Sequence, residues 1–192
     1  MGAEGDECRV VFLGPPGSGK GTQAATLARE LGLPAISTGD MLREAVANGS
    51  ELGRRVRKIM EAGELVGDEL MAEVVRDRLG HGDTARGFLL DGYPRTAAQA
   101  ATLRQILDAG EDTLDHVVFI DVPEEELVRR ALLRRRVDDK EDVVRERLRV
   151  YREKTQPLVD FYRAAGLLRE VDGDRPVEEV RQAILDAIEA GG

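Results

Sequence analysis

The chain has 192 residues, 42% of them hydrophobic and 34% charged, and its formal net charge at pH 7 is −9. This length suits one α/β domain with a sizeable core, and the composition is that of an ordinary soluble globular protein. The negative charge disfavours a nucleic-acid partner or an anionic membrane surface, and no apolar run approaches the ~20 residues that a bilayer-spanning helix needs.

The first predicted element follows a short acidic segment. Residues 1–7 are unlike a secretory signal, so we expect a cytoplasmic protein. The single cysteine, Cys8, stands beside the first apolar run and leaves no cysteine set for structural zinc. From there onward short apolar runs alternate with helical patterns, which predicts an α/β fold with a doubly wound, parallel five-stranded sheet and helices on both faces.

The apolar runs predict five strands, at residues 9–13, 35–37, 87–90, 116–121 and 168–171. The helical patterns predict helices at residues 20–31, 40–48, 51–62, 68–79, 97–109, 124–134, 140–165 and 177–189. Two segments interrupt this scaffold, a pair of short helices at 38–68 and a charged turn at 134–139. Ligands in such folds bind at the carboxyl ends of the strands. Both segments leave from that edge and could close over a bound nucleotide.

A glycine-rich loop lies between the first predicted strand and the first helix. Residues 14–22 read Gly-Pro-Pro-Gly-Ser-Gly-Lys-Gly-Thr, and such a loop turns backbone N–H groups towards a polyphosphate. Lys20 adds a mobile positive charge. The residue after that lysine is Gly21 instead of the serine or threonine that binds magnesium in most such loops. The sequence therefore predicts a nucleoside triphosphate site and argues against switch-type and motor-type hydrolases.

Two later apolar runs end in aspartate, at Asp91 and Asp121. An aspartate in this position holds Mg²⁺ opposite a phosphate loop, and spacing alone does not choose between the two. We favour Asp91 because the turn that follows it brings Arg95 close to the expected phosphates. The alternative, an aspartate that only caps the next loop, applies well to at least one of them.

Arginines are unevenly distributed in this acidic chain. Five of them fall within residues 129–136, and a solvated helix face is an alternative explanation for any one of these. Guanidinium groups bind phosphate in a bidentate manner, and four parts of the chain contribute candidates: Arg43, Arg95, Arg134, Arg136 and Arg147. One triphosphate does not need so many arginines, so we expect two phosphate-bearing ligands. Transfer to an existing phosphate needs no general base, because the acceptor is already ionised.

Four motifs together resemble the nucleoside monophosphate kinases, and within them the adenylate kinase family. They occupy residues 14–23, 36–43, 87–95 and 136–139, and the similarity runs in unbroken order from about residue 9 to residue 190. Gly21 is a trait of this family. A single residue separates Arg134 from Arg136, which makes the lid very short and rules out lid zinc.

The resemblance implies transfer from MgATP to AMP, with two ADP as product, by a single phosphate-loop kinase domain that works as a monomer. It implies an AMP-binding subdomain at 38–66, a lid at 134–139, and a core at 8–37, 67–133 and 140–190. Residues implied to bind ATP are Gly17, Ser18, Gly19, Lys20, Gly21, Thr22, Arg130, Arg134 and Arg175. Residues implied to bind AMP are Thr38, Arg43, Glu64, Leu65, Val66, Gly92, Tyr93, Pro94, Arg95, Gln99, Arg136 and Arg147.

Catalysis is assigned by the same resemblance to Lys20, Arg95, Arg134, Arg136 and Arg147, with Mg²⁺ held by Asp91 mainly through water. Thr38 and Gln99 favour adenine as the acceptor base over the pyrimidines of related kinases. Three alternatives stay open at this point: a pyrimidine monophosphate kinase, a nucleotide-dependent switch, and a folded but inactive relative. Gly21 and the absence of an evident water-positioning residue count against the switch.

Overall fold

The structure is a computed structural model that describes residues 7–134 and 140–191, without the side chain of Arg134. The predicted lid at 134–139, including Arg136, thus lies outside the described residues except for the backbone of Arg134. The first six residues and the last one lie outside them too. No helix in the described part of the chain is both long and apolar enough to cross a membrane.

The described strands form one parallel sheet in the order β2-β3-β1-β4-β5. Their bounds are β1 Cys8–Leu13, β2 Ala35–Ser37, β3 Gly87–Asp91, β4 His116–Asp121 and β5 Leu168–Asp172. The helices are α1 Lys20–Leu31, α2 Thr38–Ala47, α3 Glu51–Glu61, α4 Asp68–Leu79, α5 Ala97–Ala109, α6 Glu124–Arg134, α7 Glu141–Val150, α8 Pro157–Ala164 and α9 Val177–Glu189. A short 3₁₀ turn, Gly82–Thr84, precedes β3. The predicted doubly wound sheet is confirmed.

Helices cover both faces of the sheet because successive residues of a buried strand point to opposite sides. Val10 and Phe12 of β1 belong to a core that includes Leu27 of α1 and Ile184 of α9. Val11 and Leu13 belong to a second core with residues of α2, α3, α4, α5 and α8. The central strand β1 is therefore apolar at consecutive positions. The glycine-rich loop follows directly at its carboxyl end.

The insertion at 38–66 contains α2 and α3, which pack closely on each other. Ser37 caps α2, because its Oγ accepts a hydrogen bond from the Asp40 N–H at 3.2 Å, so the helix begins two residues before the predicted start. Gly53 of α3 faces the backbone of α2, and a Cβ at that position would lie 1.9 Å from the Ala45 carbonyl oxygen. Only a residue without a side chain allows this approach.

The predicted single helix at 140–165 is wrong, because the structure interrupts it. A π turn, Tyr151–Thr155, separates α7 from α8, and the Gln156 N–H donates to the Tyr151 carbonyl at 2.9 Å, five residues back. Pro157 has no N–H to continue an α-helical ladder and stands at the start of α8, where that donor is not needed. Tyr151 and Thr155, the first and last residues of the π turn, both line the cleft at the carboxyl edge of the sheet.

Candidate active site

A cleft of about 790 Å³ is lined by residues at the carboxyl edge of the sheet, by α2 and α3, and by α6 and α7. Among the described residues, it brings together nearly all of the side chains predicted to bind a ligand. Those that line it are Gly17, Ser18, Gly19, Lys20, Gly21, Thr22, Thr38, Arg43, Glu64, Leu65, Val66, Asp91, Gly92, Pro94, Arg95, Gln99, Arg130, Arg147 and Arg175. Tyr93 is the exception among the described candidates, because its side chain is 0% exposed and belongs to the second core.

The glycine-rich loop passes close to α6 on its way from β1 to α1. Gly17 has φ +90°, and a Cβ there would lie 2.6 Å from the Leu127 carbonyl oxygen, so a larger residue would push the loop off α6. The helix begins directly at Lys20, whose Nζ donates to the Pro15 carbonyl at 3.0 Å. The lysine ammonium thus lies over the loop, where it can meet a phosphate.

The Asp91 carboxylate faces the first turn of α1. A Cβ at Gly21 would lie 3.3 Å from Asp91 Oδ2, so the missing side chain leaves space in front of the carboxylate. No group of three or more His, Cys, Asp or Glu that could hold a metal occurs in the part of the chain that the structure describes. A single carboxylate beside a phosphate loop suits Mg²⁺, which binds through one or two carboxylates, phosphates and water.

Arg95 is held at its backbone and at its side chain. Its N–H donates to Gln99 Oε1 at 2.8 Å, and its carbonyl accepts from Thr155 Oγ1 at 2.8 Å. Its Nε donates to the Gly92 carbonyl at 2.8 Å. The side chain is exposed to the cleft, yet the protein around its guanidinium lowers the pKa of Arg95, while Asp91 raises it and Arg43 lowers it. Arg43 and Arg95 both line the cleft, and guanidinium groups bind phosphate or carboxylate in a bidentate manner.

The cleft continues into the predicted insertion at 38–66. Thr38 Oγ1 donates to the Asp91 carbonyl at 3.3 Å, which ties the start of α2 to the end of β3. Arg43 Nη2 donates to Asp40 Oδ1 at 2.6 Å, so the guanidinium lies along the mouth of the cleft. Arg147 of α7 also lines the cleft, and a Cβ at Gly63 would lie 3.4 Å from its Cγ. The end of the insertion therefore lies against the helix that follows the predicted lid.

The opposite side of the cleft is formed by α6 and the loop after β5. Arg130 Nη1 donates to the Gly173 carbonyl at 3.0 Å, and its Nε donates to Glu126 Oε1 at 2.6 Å. Hydrogen bonds from Arg129 and Arg130 lower the pKa of Glu126 to about 2. Val177 is 52% exposed and lines the cleft, so its apolar side chain is available to an apolar group of a ligand.

Sequence reasoning missed several residues of this cleft. Glu126 and Arg129 line it, and their spacing with Arg130 along one helix is a signal for ion pairs. Gln23 lines it too and donates from Nε2 to the Val177 carbonyl at 2.9 Å. Thr155 is 60 residues from the carbonyl that it contacts, and no local pattern indicates that pairing.

The two histidines lie away from this chemistry, and neither lines the cleft. His81 is exposed beside the 3₁₀ turn, in agreement with its polar neighbours in the sequence. His116 begins β4 at the opposite edge of the sheet, where its buried Nδ1 has no hydrogen-bond partner. Burial lowers the pKa of His116, the nearby charge of Arg169 lowers it further, and Asp115 raises it.

The sequence matches the family model described as "Adenylate kinase" over residues 12–167. It is 52% identical over 183 residues to the adenylate kinase of Thermus thermophilus, with 93% of this chain and 96% of the relative covered. The adenylate kinase of Leptospira biflexa is 48% identical over 184 residues, which covers 94% of this chain and 99% of the relative. That of Archaeoglobus fulgidus is 44% identical over 215 aligned positions, with 94% and 99% covered.

Proposed function

The chain belongs to the adenylate kinase family, and from this premise we propose that it transfers the γ-phosphoryl group of ATP to AMP, giving two molecules of ADP. One observation carries the assignment to this cleft. The phosphate loop lines the same cavity as arginines from different parts of the chain, among them Arg43, Arg95 and Arg130. Two anionic nucleotides can therefore meet end to end, which is what direct transfer between them requires.

The donor half of the reaction is assigned to the phosphate loop and to the wall formed by α6. The backbone from Gly17 to Thr22 would surround the ATP phosphates. The Lys20 ammonium would stay in contact with the phosphoryl group while it is transferred. Arg130 and Arg175 would hold the adenosine end, with the exposed face of Val177 under the base. Arg134 is assigned to the ATP phosphates from the family resemblance.

The acceptor half is assigned to the insertion and to the turn after β3. The phosphate of AMP would lie between Arg43 and Arg95, and its base would lie near Thr38 and Gln99. Further residues assigned to the same half are Glu64, Leu65, Val66, Gly92, Pro94, Arg136 and Arg147. Tyr93 would act only through its backbone, because its side chain is buried in the core.

Transfer needs charge neutralisation and alignment more than proton removal. The acceptor phosphate is already ionised, and negative charge spreads over the equatorial oxygens of the transferred group. Lys20, Arg95 and Arg147, with Arg134 and Arg136 from the lid, would stabilise that charge. Arg43 and Arg95 both line the cleft, so a phosphate bound there would have positive charge on more than one side.

The surroundings of Asp91, beside the phosphate loop, suit a magnesium ion. The Asp91 carboxylate and the open space over Gly21 match an ion held by phosphates and by water in contact with one carboxylate. Asp91 would hold Mg²⁺ there, and the ion would supply positive charge against the negative charge of the ATP phosphates. Asp91 would orient the bound water molecules and keep the phosphate chain in register with Lys20.

We also propose a division into a phosphate-loop core, an AMP-binding subdomain at 38–66 and a short lid at 134–139. Donor and acceptor residues come from one chain, which supports a monomer, and the cytoplasm is the expected compartment. Light scattering of the purified protein at micromolar concentration tests the monomer. A mass of two chains or more would contradict it.

A coupled assay with a panel of acceptors tests the activity. With MgATP present, turnover with AMP should exceed turnover with CMP, UMP or no acceptor. Faster turnover with UMP or CMP would assign the chain to pyrimidine monophosphates. ATP hydrolysis that is fastest without any acceptor would contradict the phosphotransfer itself.

Calorimetry adds a second check, because this enzyme must bind two nucleotides whereas a switch needs only one.

A further inference from the structure

Behind Gln99, on the first turn of α4, lies a carboxylate that has no role in the chemistry described above. We propose that Asp68 is a specificity-determining positioning residue, which fixes the side-chain amide of Gln99 so that it accepts adenine and rejects 6-oxopurines. The inference rests on the proposed function, because it requires the acceptor base to lie against Gln99.

The amide of Gln99 has only one orientation that satisfies its neighbours. Its Oε1 accepts from the Arg95 backbone N–H at 2.8 Å, and its Nε2 donates to Asp68 Oδ1 at 2.8 Å. A backbone N–H can only donate and a carboxylate can only accept. Turning the amide over would place donor against donor and acceptor against acceptor. Gln99 is 2% exposed, so water does not compensate for either loss.

Asp68 is itself held in place by the start of α5. Thr96 Oγ1 donates to the same Oδ1 of Asp68 at 3.1 Å, and it accepts from the Gln99 N–H at 3.1 Å. The Thr96 hydroxyl thus connects the Asp68 carboxylate to the backbone of Gln99, and the same carboxylate orients the Gln99 side chain. Asp68, Thr96 and Gln99 form one closed network, and the carboxylate is its only charged member.

The fixed Gln99 amide presents a defined pattern of hydrogen-bond donor and acceptor positions to a ligand. An amide has two donor hydrogens and two acceptor lone pairs, so one donor and one acceptor position remain after the two bonds to Arg95 and Asp68. Adenine offers the complement, an amino donor at C6 beside the N1 acceptor. Hypoxanthine offers the reverse, a carbonyl oxygen beside N1–H. The nearby side chains of Leu42, Met60 and Met71 are apolar and do not distinguish the two bases.

The test compares AMP with IMP, which have nearly the same shape, as acceptors for the full-length enzyme with MgATP. In Asp68→Asn the new side chain can turn its own NH₂ towards the oxygen of a reversed Gln99 amide, so only the Arg95 N–H still opposes the reversed orientation. We expect the IMP-to-AMP ratio of kcat/KM to rise about tenfold or more. Glu69→Gln is the matched control, because it removes a charge from the same first turn of α4. That variant should keep the wild-type ratio.

A purely structural role for Asp68 predicts a different result. If Asp68→Asn lowers kcat/KM for AMP and IMP by the same factor, Asp68 only supports α4 and the proposal is overturned. Asp68→Ser is the second variant, for the case in which Asp68→Asn unfolds at the assay temperature. Its shorter side chain admits water, which donates or accepts equally well, so the ratio must rise in this variant too.

Gln99→Ala separates the proposal from its premise. If that variant keeps the wild-type preference for AMP over IMP, the acceptor base does not face Gln99, and the acceptor placement fails together with the role of Asp68. If Gln99→Ala loses the preference while both Asp68 variants keep it, the placement stands and only the role of Asp68 is wrong.

Discussion

Thr155 gives the sharpest test of how Arg95, in the turn after β3, is held in place. Its hydroxyl donates to the Arg95 carbonyl at 2.8 Å from the π turn, and the residue is only 6% exposed. Thr155→Val keeps the shape and the β-branching of the side chain but removes the donor. The Arg95 carbonyl then loses a partner in a place where little water can replace it.

The size of the effect follows from that lost hydrogen bond. A buried acceptor left without its donor costs about 1–3 kcal/mol in free energy of unfolding. For a chain of this length, 1 kcal/mol lowers Tm by about 2–4 °C, so we expect a decrease of roughly 2–12 °C. If the loss of this hydrogen bond raises the activation free energy of the catalysed step by about 1–2 kcal/mol, kcat falls by about 5- to 30-fold.

Calorimetry gives Tm for the folded protein, and a coupled assay with saturating MgATP and AMP gives kcat. Thr26→Val is the control, because the Thr26 hydroxyl makes only a 3.5 Å contact with Arg29 at the surface. The control should change neither quantity. A Thr155→Val protein with wild-type Tm and wild-type kcat would show that the hydrogen bond contributes nothing. Loss of stability alone, with kcat intact, would show that Arg95 is positioned without it.

Three further predictions concern other parts of the molecule. Arg95→Ala should lower kcat by about 10³- to 10⁵-fold in the coupled assay, because it removes a charge clamp from phosphoryl transfer. Gly53→Ala should raise KM for AMP by about fivefold or more and leave KM for ATP unchanged, because its Cβ would lie 1.9 Å from the Ala45 carbonyl oxygen and force α2 from α3. His116→Gln should flatten the loss of unfolding free energy between pH 7 and pH 5 in denaturant titrations. The folded state holds the pKa of His116 below its ordinary value of 6.5, so the unfolded chain binds the proton first and stability falls as the pH falls through that range.

Matched variants make these results decisive. Arg104→Ala removes an exposed arginine on α5 and should keep kcat, so a near-normal Arg95→Ala protein would take Arg95 out of the site. Gly82→Ala meets nothing within 4 Å and should leave both KM values alone. If Gly53→Ala raises both KM values equally, its effect is not confined to the insertion. His81→Gln replaces an exposed histidine, and the same pH slope in both histidine variants would contradict a special role for His116.

Local chemistry made the sheet and the phosphate loop predictable. The prediction of a helix at 20–31 matches α1, because the glycine-rich loop before it and Gly32 after it mark both ends. The strands were predicted to within one residue at each end, since apolar runs between turn signals allow few alternatives. The clustering of arginines in one cleft followed from the rule that ligands bind at the carboxyl edge of a parallel sheet.

Features that depend on distant contacts could not be predicted in this way. The helical pattern continues through residues 151–155, and the hydrogen bond from Thr155 in the π turn to the Arg95 carbonyl joins residues that are 60 positions apart in the sequence. The orientation of Gln99 depends on Asp68, which is 31 residues away along the chain. The buried side chain of Tyr93 is set by the second core, although its neighbours in the sequence line the cleft.

The strand order has a consequence for protein engineering. β2 and β3 lie on one side of the central β1, and β4 and β5 lie on the other, so the continuous segment 35–109 holds both strands of one side together with the turn after β3. A chimaera that takes this block from a relative with another acceptor should inherit that relative's acceptor and keep its own donor. The seam must preserve the junctions at which the halves meet, such as the one between Thr155 and Arg95.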